Sequence, residues 1–489
     1  MPGVAVVADS TWAAFKAREA LVVQWDEGPY AAESNATLTE QFQTLLAAPP
    51  ATLHHSGRVD DALAGAAVMI DNTYSYPFVS HATLEPHNCT ADYRPATGEM
   101  WVRGPIQMPI SARSIVARAT GIAIDKVHVQ CTRIGGGFGR RLMSDYAAEA
   151  AVIAKAIGGP VMVIDNREGD LQHDYYRPAA MQRLRVGADA QGKIVAWDHV
   201  IASCSRNVYR KDPRGEHSTE TYGSYVGVVQ RLDQLDADLQ PTWIPNARLR
   251  YGAPLTGVAT GAWRAPAHVV NAFTIETSID ELAARVKRSP IDLRLEILGE
   301  SADVPKGAND LSPYDPLRMR QVLLEAAERG GFGRPAPEGR ARGVAMHHTF
   351  ASYCAHVVEV SVAAGNNGQQ RVTIHKVTSV GDVGQPVNLS MLEAQMQGGI
   401  IDGIGAAFYG EVPIANGRAR SRNFGDYRMI RMREAPLAID AHFIASTARP
   451  TGFGEPPLPP IAPAVANAIA ELTGERIRVM PFIKAGYTL

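Results

Sequence analysis

The chain changes its apolar periodicity repeatedly between two residues and about 3.6, and it does so in two blocks. In residues 66–299, strand-like runs such as KVHVQCTRI (126–134) and GKIVAWDHVIASC (192–204) stand among helical patterns at 111–121, 144–158 and 270–287. In residues 344–489, strands are expected at AHVVEVSVA and QRVTIHKVTSV. Helices are expected there at LSMLEAQMQGGIIDGIGAAFYG and PAVANAIAELTG, the latter with Pro463 near its start and Gly474 as its stop. Both periods in such close succession predict a mixed α/β chain of the α+β class.

Residues 301–343 are charged and rich in proline and glycine, so they read as a linker between the blocks. Residues 1–31 read as strand (GVAVVA), helix with Ser10 or Thr11 as N-cap, and strand. Residues 32–64 carry Pro49-Pro50, His54-His55 and Gly57 and read as a polar linker, with the histidine pair in a solvated loop. With 489 residues the chain is too long for one core. The expected organisation is 1–64 as the tail of a preceding α/β domain plus linker, 65–300 as a first domain, 301–343 as linker and 344–489 as a second domain.

A formal net charge of -2 and a pI near 6.7 give no footprint for nucleic acid. The four cysteines, Cys89, Cys131, Cys204 and Cys354, form no C-x-x-C and are expected to be buried thiols. A cysteine-ligated iron–sulfur cluster in this chain is therefore not expected, and no residue is singled out as a metal ligand. There is no signal-peptide pattern and no apolar run of about 20 residues, so the chain reads as soluble.

Four segments could carry chemistry. The loop Gly135-Gly136-Gly137-Phe138-Gly139-Arg140-Arg141 follows a strand and precedes a helix. Its glycines allow close approach of a ligand, and a helix N-terminus with two arginines favours an anion. It matches neither the Walker pattern nor G-x-G-x-x-G, so nucleotide binding is disfavoured. A tight structural turn is the alternative. In Gly454-Glu455-Pro456-Pro457, the prolines stiffen the peptide after a carboxylate, as a general base requires; a solvated glutamate is the alternative. Arg264, in Thr260-Gly261-Ala262-Trp263-Arg264-Ala265-Pro266, could neutralise an anion or be a surface arginine. Gln395, in Gln395-Met396-Gln397-Gly398-Gly399, offers donor and acceptor on a small-residue helix, or simply packs there.

Taken in order, GGGFG, A-W-R, Q-x-x-G and GEPP resemble the xanthine dehydrogenase and aldehyde oxidase superfamily of molybdenum hydroxylases. GGGFGRR, H-A-T-L-E-P-H-N-C-T-A (81–91), N-F-G-D-Y-R (423–428) and GFGEPPLPPIAPAVANAI are similar to the beta subunit of the isoquinoline 1-oxidoreductase branch. The resemblance runs over nearly the whole chain. It implies two molybdopterin-binding domains, over 65–300 and 344–489. It implies molybdopterin as cofactor, in the cytosine dinucleotide form, without iron–sulfur cluster or FAD in this chain. Gly136, Gly137, Phe138 and Gly139 would face the cofactor, Gln395 would hydrogen-bond the pterin, Arg264 would bind cofactor and polarise substrate, and Glu455 would be the catalytic base.

The family's E-M-G-Q-G motif and a serine- and threonine-rich cofactor loop are absent, so a chain or segment supplying that half is an implied partner. A small [2Fe-2S] subunit and a cytochrome c acceptor are the others, and the complex would be periplasmic if a signal-bearing partner exports it and cytoplasmic otherwise. Val79 stands where xanthine dehydrogenases place a glutamine, Leu142 where they place a substrate-contacting glutamate, and Pro266 where they place an aromatic residue. These replacements speak against purines and for aldehydes or N-heteroaromatic compounds. The competing expectation is a remnant or assembly partner that holds no cofactor.

Overall fold

The computed structural model describes residues 3–205, 244–299 and 315–489. The alternating segments form three main sheets flanked by helices, which is the α+β class expected. The first sheet has five strands in the order Ala51–Ser56, Asn246–Gly252, Ile194–Ser203, Ala180–Ala188 and Val68–Tyr76. Asn246–Gly252 runs parallel to Ile194–Ser203, and the other pairings are antiparallel.

The second sheet orders Val127–Cys131, Glu99–Gly104, Asn88–Arg94 and Pro160–Ile164. Helices Pro109–Thr120 and Asp145–Ile157 cover it through the small buried residues Ala112, Ala147, Ala151 and Ala154. Each of these helices ends on a left-handed glycine, Gly121 or Gly158. The third sheet orders Ala341–Thr349, Ser352–Ala364, Gln370–Asp382 and Ile439–Phe443, with the short Tyr487–Thr488 also on Gln370–Asp382.

Helix His268–Arg285 joins the first and third sheets and is buried along almost its whole length. Its polar residues are therefore paired. Asn271 accepts from Gln182 at 2.7 Å, Ser278 meets the Tyr74 hydroxyl at 2.9 Å, and Glu281 accepts from Asn72 at 2.9 Å. Glu276 receives Arg294 at 2.9 Å, with both side chains buried. One apolar cluster contains Ile70 and Trp197 of the first sheet, Ile279 of this helix, Leu323, and Val344 and Val380 of the third sheet. The two sequence blocks thus share a core.

Helix Ile461–Thr473 lies against the third sheet at Gly343, where an added Cβ would fall 2.1 Å from the Ala464 carbonyl oxygen and 2.3 Å from the Ala468 nitrogen. This contact sets the helix that follows the GEPP segment.

Several expectations are corrected. The N-terminal helix Thr11–Ala20 forms, and Ser10 caps it at 3.2 Å, but residues 3–8 and 21–27 form no strand. Residues 32–64 are not a linker: they hold helix Asn35–Ala47, strand Ala51–Ser56 and helix Val59–Ala64, with Leu38, Phe42 and Leu46 buried. His54 and His55 lie in that strand rather than in a loop. Part of the expected linker 301–343 lies outside the described residues, and the rest includes helix Pro316–Arg329, whose Met319, Val322, Leu323 and Ala326 enter the core. Three cysteines are buried, and Cys131 is exposed.

Three expected stability effects follow from this packing. Gly343→Ala should lower stability by about 1–3 kcal/mol through overpacking. Gly159→Ala, where an added Cβ meets nothing within 4 Å, should stay within about 0.5 kcal/mol. Denaturant unfolding of the two variants side by side measures the difference. Arg294→Met strands the buried Glu276 carboxylate and should cost about 3–5 kcal/mol by the same measurement.

Candidate active site

The segment Ala262-Trp263-Arg264-Ala265-Pro266 leads into helix His268–Arg285 through two alanines at positive φ, 54° at Ala265 and 64° at Ala267. L-residues enter that region only when surrounding contacts over-determine them. The contacts here are explicit. The Arg264 N–H donates to the Phe138 carbonyl at 2.8 Å, and the Ala265 N–H donates to Glu455 Oε2 at 2.8 Å. The strained turn therefore brings the GGGFG loop and the GEPP segment together from opposite ends of the chain.

The GGGFG loop follows strand Val127–Cys131. Gly139, at φ 108°, packs so closely on the turn that an added Cβ would lie 1.7 Å from the Ala262 carbonyl oxygen. Phe138 itself has φ 52°. The two arginines behind it do not face an anion, as the sequence suggested. Arg140 is buried in a two-pronged pair with Asp145 at 2.8 Å on each prong, and contacts Asp174 at 3.1 Å. Arg141 donates to the Glu85 carbonyl at 2.6 Å and to the Gly136 carbonyl at 3.2 Å. Asp145 also occupies the first turn of helix Asp145–Ile157. Two acids neutralise Arg140, whereas Arg141 is held by the two carbonyls and meets the Glu85 carboxylate only at 3.4 Å, so both side chains are spent within the fold.

Glu455 is half-buried. The Leu458 N–H donates to its carbonyl at 3.1 Å, and the buried His356 contacts the Pro457 carbonyl through Nε2 at 2.7 Å. Because a carbonyl only accepts, His356 donates there. Burial pushes the His356 ring down to about 4, so it stays neutral. Helix Leu389–Tyr409 approaches this segment through missing side chains. A Cβ at Gly399 would lie 2.6 Å from Pro457, and one at Gly403 would lie 2.4 Å from Ile461.

Arg264 joins the pieces. Its Nε donates to the Gly454 carbonyl at 2.8 Å, Nη2 to Gln395 Oε1 at 3.3 Å, and Nη1 to Asp402 at 3.4 Å. A cavity of about 510 Å³ opens beside it. The wall includes Val79, Phe138, Trp263, Arg264, Gln397 and Asp402. Gly136, Gly137 and Gly139 form the turn behind Phe138 rather than the lining; Gln395 and Glu455 reach the site through Arg264 and Ala265. Leu142 and Pro266 do not line the cavity.

Sequence reasoning missed several residues here. His81 contacts Asp174 through Nδ1 at 2.9 Å and the Ala262 carbonyl through Nε2 at 2.9 Å. Burial alone would raise the Asp174 carboxyl, but His81 and Arg140 outweigh it and hold that group far below its ordinary value. Tyr427 closes the cavity by donating to the Ser80 carbonyl at 3.1 Å. Asp402 was also overlooked; burial raises its carboxyl, with Arg264 partly offsetting that shift. His81 and Tyr427 lie in motifs that carried the resemblance, so a signal existed without a role attached. Away from these side chains, Asp145, Glu149 and His173 bring ligand atoms within 4.8 Å of one another, but Asp145 is already spent on Arg140.

The molybdopterin cofactor-binding domain family matches residues 44–208 and, in a second match, residues 318–436, together more than half of the chain. The chain is 29% identical to a membrane-bound aldehyde dehydrogenase [pyrroloquinoline-quinone] of Gluconacetobacter polyoxogenes, over 98% of this chain and 62% of that protein. It is 28% identical to the isoquinoline 1-oxidoreductase subunit beta of Brevundimonas diminuta, over 98% of this chain and 59% of that subunit. It therefore spans about three-fifths of the length of these relatives. The fold is similar to that of quinoline 2-oxidoreductase from Pseudomonas putida 86, with a TM-score of 0.78 at 15% identity, covering 98% of this chain and 84% of that one. With two cofactor-domain matches, these relatives and this fold, the chain belongs to the xanthine dehydrogenase/aldehyde oxidase family of molybdenum hydroxylases.

Proposed function

We propose that the chain is the molybdopterin-binding part of the catalytic subunit of a molybdenum hydroxylase acting on aldehydes or N-heteroaromatic compounds, with Glu455 as general base. The observation that carries this reading is the Glu455 carboxylate, anchored at 2.8 Å by the N–H of Ala265, the residue after Arg264 on the wall of the 510 Å³ cavity. That volume falls in the usual range of about 300–1,000 Å³ for small-molecule and cofactor sites. The lining suits a flat heterocycle: aromatic and aliphatic walls at Phe138, Trp263 and Val79, and polar groups at Arg264, Gln397 and Asp402.

When bound, the molybdenum cofactor would accept the two electrons of the oxidation and deliver an oxygen derived from water. The residues of this chain supply orientation and proton handling. Glu455 takes up the proton released as oxygen is transferred to substrate. The Ala265 N–H and the prolines after Glu455 hold the carboxylate, so little reorganisation accompanies proton transfer. Arg264 spends donors on Gly454, Gln395 and Asp402, so we assign it to positioning rather than to polarising substrate. Val79 on the cavity wall gives no hydrogen bond there, which favours a less polar substrate than a purine.

The wider assembly belongs to the same proposal. It comprises a polypeptide or segment for the remaining part of the relatives' length, a small [2Fe-2S] subunit, a cytochrome c acceptor and the cytosine dinucleotide form of the cofactor. Among the described residues no helix is long and apolar enough to cross a membrane. The competing reading is an assembly partner that holds no cofactor.

Elemental analysis of the native complex separates the two readings: stoichiometric molybdenum supports the hydroxylase, and its absence supports the partner. Glu455→Gln should lower turnover by about 10²–10⁴-fold while molybdenum content is unchanged. Turnover near that of the unmodified enzyme would remove Glu455 from the role of base. Gly139→Ala should force the GGGFG loop off the Ala262 carbonyl and lower the molybdenum retained per folded chain, read by the same elemental analysis.

A further inference from the structure

A pocket of about 260 Å³ opens on the third sheet, and none of its lining residues belongs to the 510 Å³ cavity. Its floor is one face of strands Ser352–Ala364 and Gln370–Asp382. Val357 stands opposite Thr378 and Glu359 opposite Lys376, so the four side chains share that face. Its wall is the end of helix Pro316–Arg329 with residues 330–335. Gly330 lets the helix end settle on the floor, since an added Cβ would lie 2.5 Å from the Val357 Cβ. Arg342 fixes the wall by donating through Nη1 to the Gly331 carbonyl at 2.7 Å and the Arg334 carbonyl at 3.2 Å.

The charges in this lining do not balance. Arg329, Arg334, Arg342 and Lys376 meet one carboxylate, Glu359. Glu359 is also taken twice, by Arg340 at 2.9 Å and by Arg342 at 2.9 Å. Burial would raise its carboxyl, but those two arginines outweigh burial and hold it below its ordinary value. Arg334 is exposed and has no ion pair among the described residues. Arg329 pairs with Glu325 and Lys376 with Asp440, both cations nearly half exposed. Exposed pairs of this kind contribute little and exchange partners readily. The end of the helix carries about half a negative charge, which opposes an anion but is small against four cations. Thr378 adds a second observation: it is 1% exposed, lines the pocket, and its hydroxyl has no hydrogen-bond partner among the described residues.

The donors come from three directions: Arg329 from the helix end, Arg334 from the loop, Lys376 and Thr378 from the sheet. A carboxylate has two oxygens in one plane and cannot use all three. A phosphoryl group has three terminal oxygens in a tetrahedral arrangement, and guanidinium forks and a lysine are the usual partners of such a group. We propose that this pocket binds a phosphoryl group, as free phosphate or as a small phosphate monoester, through Arg329, Arg334, Lys376 and the Thr378 hydroxyl. Arg342 and Glu359 are positioning residues that hold the pocket open. The pocket exceeds the size of a phosphoryl group alone, and its lining is mostly polar, so a monoester with a small polar body also fits. The site is independent of the molybdenum chemistry, and no covalent or redox step is involved.

The test is isothermal titration calorimetry of inorganic phosphate into the native complex, in phosphate-free buffer of low ionic strength. Saturable binding at one site per chain is expected. Arg334→Ser and Lys376→Gln, both at exposed positions, should each weaken it about tenfold or more. Thr378→Val keeps the shape of the side chain, removes the hydroxyl and should weaken binding several-fold. Arg118→Ser removes an exposed charge on helix Pro109–Thr120 and should change affinity less than about twofold. Glycerol 3-phosphate distinguishes the two sources: tighter binding than phosphate assigns a monoester, and equal binding assigns the free anion. Absence of saturable binding up to about 10 mM phosphate would overturn the proposal. Acetate binding as tightly as phosphate would also overturn it, and so would unaltered affinity in folded Arg334→Ser and Lys376→Gln.

Discussion

The arrangement of the site depends on the guanidinium of Arg264. One planar fork of donors reaches the Gly454 carbonyl, the Gln395 side chain and Asp402, and so joins the GEPP segment to helix Leu389–Tyr409. The backbone on either side of that fork completes the assembly. The Arg264 N–H holds the GGGFG loop at Phe138, and the Ala265 N–H holds Glu455. Arginine suits this task because its donors are pre-organised in one plane and its charge persists when it is buried. Lysine, a point charge on a flexible stem, would satisfy one of these acceptors at a time.

Close backbone approach is the second condition, and glycine supplies it at defined places. Gly139 admits the Ala262 carbonyl, Gly399 admits Pro457, and Gly343 admits the turn of helix Ile461–Thr473 around Ala464. The prolines after Glu455 remove N–H donors and restrict the chain, while His356 gives the Pro457 carbonyl a neutral donor. Strain is concentrated in the same region, at Phe138, Ala265 and Ala267 with positive φ. Such conformations persist because packing around them leaves no alternative. The shared core beneath, spanning the first and third sheets through helix His268–Arg285, provides the rigid support.

Local sequence was informative where periodicity was long and uniform. The runs that predicted strands at 192–204 and 370–380 correspond to Ile194–Ser203 and Gln370–Asp382. The runs that predicted helices at 144–158 and 270–287 correspond to Asp145–Ile157 and His268–Arg285. It misled where composition was read in place of spacing. Leu38, Phe42 and Leu46 recur every four residues, a helical face hidden beside Pro49-Pro50 and the histidine pair. The apolar spacing of Met319, Val322, Leu323 and Ala326 was likewise masked by the charges around it. The GVAVVA run has strand composition, yet residues 3–8 pair with nothing among the described residues. Strand propensity does not supply a neighbour.

The sequence by itself determined the α+β class, the family resemblance and the identity of the motifs, because periodicity and short chemical patterns are local properties of the chain. It singled out Glu455, Arg264, Phe138 and Gln395 one at a time. Their union was decided by tertiary structure, since hydrogen bonds such as Ala265 to Glu455 connect residues 190 positions apart. The commitment of Arg140 to internal acids and of Arg141 to backbone carbonyls, the His81–Asp174 pair and the placement of Asp402 on the cavity wall were decided there too. Whether a charged side chain is spent on a neighbour or left facing a cavity depends on which distant segments are packed beside it, and no local pattern records that.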